Sequence, residues 1–145
     1  VKQNWERLKK AEKTERKSVL EGIPKSLPAL IQAQRTQEKA AAVGFDWQDI
    51  KPVLEKLDEE REELAEALNS NEQDTIKEEL GDMIFTLVNL ARKLHIDAES
   101  ALKECTRKFT RRFNTIEEYY LKNKEDINEA GLEELDAHWE RTKEH

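Results

Sequence analysis

Glycine and proline are scarce in this 145-residue chain, at four and three residues, and only one cysteine is present. So few turn formers, in a sequence that is 39% charged, argue against a many-stranded sheet and for helices. The lone Cys105 rules out an internal disulfide and fits a reducing, cytoplasmic setting. It falls on the apolar stripe of its helix, so it is expected to be buried. No apolar run reaches the roughly 20 residues that span a bilayer, and the start shows no basic-then-apolar export pattern. Positive charge is in deficit. The net charge of −7 disfavours non-specific binding to nucleic acid or to an anionic membrane, but not a small anion in a local basic pocket. Any glycine-rich phosphate loop is missing too.

What the chain does have is helical periodicity. Residues 1–21, mostly charged around Trp5 and Leu8, read as a polar helix or linker, and 22–145 as one helical domain. The sequence opens on Val1 rather than Met, as a fragment or processed chain would. Asn4-Trp5-Glu6-Arg7-Leu8-Lys9 echoes His138-Trp139-Glu140-Arg141-Thr142-Lys143, the pattern expected if residues 1–10 end a preceding, similar domain.

The first helix is expected to start with Ser26 as N-cap and Pro28 in its first turn. It would run to about Val43 with Gln34, Gln37 and Ala40 toward neighbours, and stop at Gly44 as C′. After the aromatic turn Phe45-Asp46-Trp47, with Asp46 or Asp49 as cap, a second helix covers about 50–68 with Val53, Leu57, Leu64 and Leu68 inward. A third, capped by Asp74, spans about 75–94. It is the most apolar and is expected to be central. Asp97 caps a fourth with the stripe Ala98, Leu102, Cys105, Phe109, Phe113, Ile116 and Tyr120, and a looser segment leads to a short terminal helix bearing Trp139. The expected fold is all-α, a four-helix antiparallel bundle.

Two acidic clusters stand out, Glu59-Glu60-Arg61-Glu62-Glu63 and Glu78-Glu79-Leu80-Gly81-Asp82. A Glu-x-x-Glu in so acidic a chain usually marks a solvated face. Here Glu60 projects about 60° from Leu57 and about 40° from Leu64, inside the buried stripe, and Glu63 flanks it. Glu79 and Asp82 open the apolar third helix and share one flank with Thr86, Asn89 and Lys93. Four carboxylates around one point repel unless a cation compensates, and all-oxygen ligation suits Mg²⁺ or Mn²⁺ rather than zinc. A di-iron site would want Glu-x-x-His, which His95, His138 and His145 do not supply. On the fourth helix Lys108 and Arg112 lean toward the stripe, whereas Arg111 points away, and such cations suit phosphate.

These segments, with Gly22-Ile23-Pro24, Lys39-Ala40-Ala41 to Gly44-Phe45-Asp46-Trp47, Val88-Asn89-Leu90-Ala91-Arg92 and Lys108-Phe109-Thr110-Arg111-Arg112-Phe113, resemble the MazG-type all-α nucleoside triphosphate pyrophosphohydrolases. They run in the family's order over about 22–113, with Trp139 beyond. The resemblance implies Mg²⁺-dependent cleavage of a nucleoside triphosphate between its α and β phosphates, giving NMP and pyrophosphate, with Mn²⁺ as a substitute. It places Glu60, Glu63, Glu79 and Asp82 as metal ligands, and Lys108 and Arg112 on the phosphates. Lys56, Glu78, Asn89, Arg111 and Trp139 accompany them on the substrate side. Glu59 or Glu63 would accept the proton. It also implies a homodimer, to which the breadth of the third helix's apolar surface points as well. A related all-α dUTPase or phosphoribosyl-ATP pyrophosphohydrolase, and a non-catalytic helical interaction module, are the competing readings.

Overall fold

Pro28, with φ −53° and ψ 146°, is the residue from which the first helix springs in the computed structural model, which describes residues 4–5 and 17–144. Five α-helices follow: α1 Ala29–Ala42, α2 Ile50–Ser70, α3 Gln73–Lys93, α4 Ala98–Lys122 and α5 Leu132–Thr142, with a 3₁₀ turn at Ile127–Glu129. The described residues contain no strand, and no helix among them is long and apolar enough to cross a membrane. Residues 4–5 are helical. The rest of the echo at 4–9, and most of the polar segment 1–21, lie outside the described residues.

Two helix starts differ from expectation. Ser26 is not the first N-cap, because the Gln32 amide donates to the carbonyls of Lys25 and Leu27 (2.9 and 2.7 Å) and ties down that lead-in as a turn ending at Pro28. Asp74 does not cap α3 either. Asn71 adopts a left-handed φ of 58°, the chain reverses in two residues, and Glu72 becomes the N-cap. Asp74 then sits in the first turn, where its charge complements the helix dipole. Asp49 does occupy the N-cap of α2, without a side-chain cap bond. Gly44 ends α1 as expected. At φ 96° it lets its own N–H reach Ala41 O and that of Phe45 reach Ala40 O, both at 3.0 Å, which closes a Schellman motif.

The chain divides into two units, 1–99 and 100–145. In the first, α1 and α2 each pack against α3, so the most apolar helix is indeed the shared element. Its driest points are Val53 (0% exposed), Ala67 and Val88. One strip of α3 is bare: Leu80, Ile84 and Leu87, spaced i, i+4 and i+7, are 44–47% exposed.

In the second unit Ile116 and Tyr120 of α4 are buried, and His138 of α5 lies 4.3 and 5.3 Å from the rings of Tyr119 and Tyr120. Cys105 is exposed, contrary to expectation, as are Leu102 and Phe109 on the same stripe. An apolar pattern marks a face without supplying whatever covers it. Tyr120 Oη donates to Glu134 Oε1 at 3.0 Å, and burial first, then that bond, push its hydroxyl from 10.0 up to about 12. The folded value lies above the unfolded one, so this stabilisation is complete below pH 10 and drains away as pH rises to about 12. Tyr120→Phe is expected to flatten that stretch of the alkaline unfolding curve followed by circular dichroism. An unaltered curve would remove Tyr120 from the account.

Candidate functional site

The α2–α3 hairpin brings the acidic residues together. With the two helices joined by only Asn71 and Glu72, α2 runs back along α3 and its inward positions face those of α3. Glu60 is 5% exposed, as its position in the apolar stripe requires. One carboxylate oxygen each from Glu60, Glu79 and Asp82 lies within 4.8 Å of the others. Burial falls from Glu60 through Glu79 to Asp82, which is exposed, so the cluster opens to solvent on one side. Thr86, one turn beyond Asp82, is buried and donates to the Asp82 carbonyl at 2.9 Å.

The charge of this cluster is only partly balanced. Lys56 Nζ sits 3.1 Å from Glu60 Oε1 and 3.4 Å from Glu59 Oε1. The bond to Glu60 is the main reason the Lys56 ammonium is pushed up from its usual range. The second oxygens of Glu60 and Glu79 are buried with no hydrogen-bond partner. Glu63 is not among the three converging groups, but it feels them: the charge of Glu60 first, then desolvation, then the charge of Glu79 push its carboxyl up. Orphaned, buried carboxylate oxygens beside an all-oxygen donor set fit a hard divalent cation such as Mg²⁺, which would satisfy what one lysine cannot. Nitrogen or sulfur ligands, which zinc would favour, are absent from the cluster.

The other predicted residues are disposed as follows. Glu59 is exposed at the edge of the cluster, and Glu78 is exposed on α3. Asn89 Oδ1 accepts two bonds from Arg92, at Nε (3.0 Å) and Nη2 (2.8 Å), and Arg92 in turn pairs with Asp46. That pairing, with Lys93 adding to it, holds the Asp46 carboxyl below the usual range and fastens the aromatic turn to α3. Arg92 thus ties Asn89 and the aromatic turn to one another. Nothing in the sequence announced Asp46 as its partner 46 positions away.

Lys108, Arg111, Arg112 and Trp139 belong to the second unit. There the Arg112 guanidinium lies 5.6 Å over the Trp139 ring, Phe109 packs on the same ring at 5.1 Å and stacks on Phe113 at 5.8 Å, and Lys108 and Arg111 are exposed. Half-buried Trp139 and Arg112 therefore form one aromatic–cation pair.

Helices without strands among the described residues, with three carboxylates converging in one hairpin, define the class. The family follows from comparison: residues 48–116 match the MazG nucleotide pyrophosphohydrolase domain, and this chain carries a MazG domain. It is 46% identical over 140 residues to the Thermotoga maritima protein named nucleoside triphosphate pyrophosphohydrolase/pyrophosphatase MazG. To the Escherichia coli K12 protein named nucleoside triphosphate pyrophosphohydrolase it is 39% identical over 143 residues. Both alignments cover 96% of this chain but 54% of the relative, so the chain spans about half the length of these relatives. The Bacillus subtilis protein YabN is 43% identical over 143 residues, 97% of this chain and 29% of its own length.

Proposed function

We propose that this chain is a Mg²⁺-dependent nucleoside triphosphate pyrophosphohydrolase that cleaves (d)NTPs between the α and β phosphates to NMP and pyrophosphate. The observation that carries this is the convergence of Glu60, Glu79 and Asp82 with two orphaned, buried carboxylate oxygens, in a domain of the MazG family. Those three residues, with Glu63 beside them, would hold Mg²⁺, for which Mn²⁺ substitutes. The bound ion supplies Lewis-acid polarisation of phosphoryl oxygens.

The protein's own groups do the remainder. A water oxygen joins one phosphorus, the bridging α–β bond opens, and the water's proton passes to a carboxylate. Glu63 suits that role because the charges of Glu60 and Glu79 already favour its protonated form, with solvent-facing Glu59 as the alternative base. Lys56, paired with Glu60 at the edge of the cluster, is a cation near enough to meet a phosphate oxygen. Lys108 and Arg112 would neutralise the departing pyrophosphate, and Trp139 would lie near the nucleotide. Glu78, Asn89 and Arg111 complete the substrate side. In this reading the helices assemble as a four-helix antiparallel bundle in a cytoplasmic homodimer, with the bare Leu80–Ile84–Leu87 face of α3 covered by a second copy.

The test is product analysis. Wild-type protein incubated with Mg²⁺ and each of several NTPs, dUTP among them, is expected to give NMP and pyrophosphate by ³¹P NMR. NDP with orthophosphate would overturn the α–β assignment, and no turnover of any nucleotide would favour the interaction module.

A further inference from the structure

We propose that the cavity between α1, the aromatic turn and α3 is the pocket that receives the nucleobase, an inference that rests on the pyrophosphohydrolase reading above. The cavity holds about 480 Å³ and lies wholly within the first unit, lined chiefly by Gln37, Phe45, Trp47, Phe85 and Asn89. That volume is of small-ligand size, and aromatic walls with a few polar groups are the usual make-up of such sites.

Its position along α3 suits a nucleotide. Asn89 lies seven residues beyond Asp82, about 10 Å along the axis and nearly on the same face. A triphosphate at the carboxylates would therefore extend its nucleoside along α3 toward the cavity.

The polar groups in the walls have fixed orientations. Gln37 Nε2 donates to the Phe85 carbonyl at 2.9 Å, which makes Oε1 the other end of that amide, and Oε1 is buried without a partner. Asn89 Oδ1 is engaged by Arg92, which leaves its Nδ2 as a donor for the cavity. Thr36 and Asp46, also in the lining, are engaged with the Gln32 carbonyl and Arg92. The Gln37 acceptor and the Asn89 donor beside flat aromatic walls match the hydrogen-bonding edge of a nucleobase, where an N–H and an acceptor lie side by side. Cytosine and adenine would give their exocyclic amine to Gln37 and take the Asn89 proton on a ring nitrogen. Guanine, uracil and thymine would give a ring N–H and take it on a carbonyl oxygen. Phe45, 82% exposed next to Gly44, is the ring with the most freedom to close over a bound base.

The experiment compares NTPs with inorganic tripolyphosphate as a base-free competitive inhibitor, in the presence of Mg²⁺. Phe45→Ser, at a surface position, and Gln37→Leu, which removes the acceptor, are each expected to raise KM for NTPs about tenfold or more, the scale of one lost stacking or pairing contact. The inhibition constant of tripolyphosphate should move less than about twofold. Unchanged KM in the surface variant Phe45→Ser, a parallel rise in the tripolyphosphate constant, or base-linked loss in Trp139→Ala alone would overturn the assignment.

A second readout separates this pocket from the enzyme assignment. In a Trp5→Phe/Trp139→Phe background, free adenosine and uridine should quench Trp47 fluorescence, and Phe45→Ser should abolish the quenching. Quenching there, without turnover by the wild-type protein, leaves the pocket standing and fails the pyrophosphohydrolase reading. Wild-type turnover without quenching does the reverse.

Discussion

Glu60→Ala and Asp82→Ala are each expected to lower kcat/KM for an NTP about a thousandfold or more while the helical circular dichroism spectrum persists. A metal-centred carboxylate site places several kcal/mol of charge stabilisation on these groups, and each 1.36 kcal/mol is about a factor of ten in rate. The same residues should carry the cation-induced rise in Tm. Glu63→Gln sharpens the test by moving stability in the opposite direction. The charges of Glu60 and Glu79 push the Glu63 carboxyl up, so neutralising it relieves repulsion. Its Tm in EDTA should exceed that of wild type, whereas the increment on adding Mg²⁺ should shrink. Thermal melts with EDTA and with Mg²⁺ read both effects. Wild-type rates in Glu60→Ala, or a melting temperature in EDTA that falls in Glu63→Gln, would sink this account of the site.

The second large effect concerns assembly. Ile84→Glu together with Leu87→Glu should convert a species of twice 17.0 kDa into one of 17.0 kDa by light scattering after gel filtration. Both side chains are nearly half exposed in the single chain, so a charge at either position can stay in solvent while Val53, Ala67 and Val88 remain buried. Two carboxylates facing their own copies across a two-fold interface would be desolvated and mutually repelled. Wild-type protein that runs as 17.0 kDa at every concentration would refute the dimer.

Much of the first unit was legible because helical spacing is a strong signal when one side of a helix is dry. The run from Val53 through Leu57 and Leu64 gave α2 its inward face, and with it the burial of Glu60. Glycine at 44 gave the end of α1, since few other residues take φ 96° at low cost. Starts were harder. Ser26 and Asp74 are good capping types, but Gln32 and Asn71 fix the preceding turns, and both contacts depend on how the chain has already bent. Cys105 shows a different limit: periodicity put it on one stripe with Leu102 and Phe109, yet no described neighbour buries any of the three. The Arg92–Asp46 pair and the orphaned Gln37 oxygen join distant segments and leave no local trace in the sequence. The carboxylates were found because their repulsion is a chemical problem visible even before the chain is folded.

Lys56 gives the acidic hairpin a countercharge of its own. Its ammonium rests 3.1 Å from Glu60, the most deeply buried carboxylate of the cluster. The two residues are four positions apart on one helix, so forming α2 is enough to bring them together. Part of the neutralisation the cluster needs is therefore written into local sequence and comes with the helix itself.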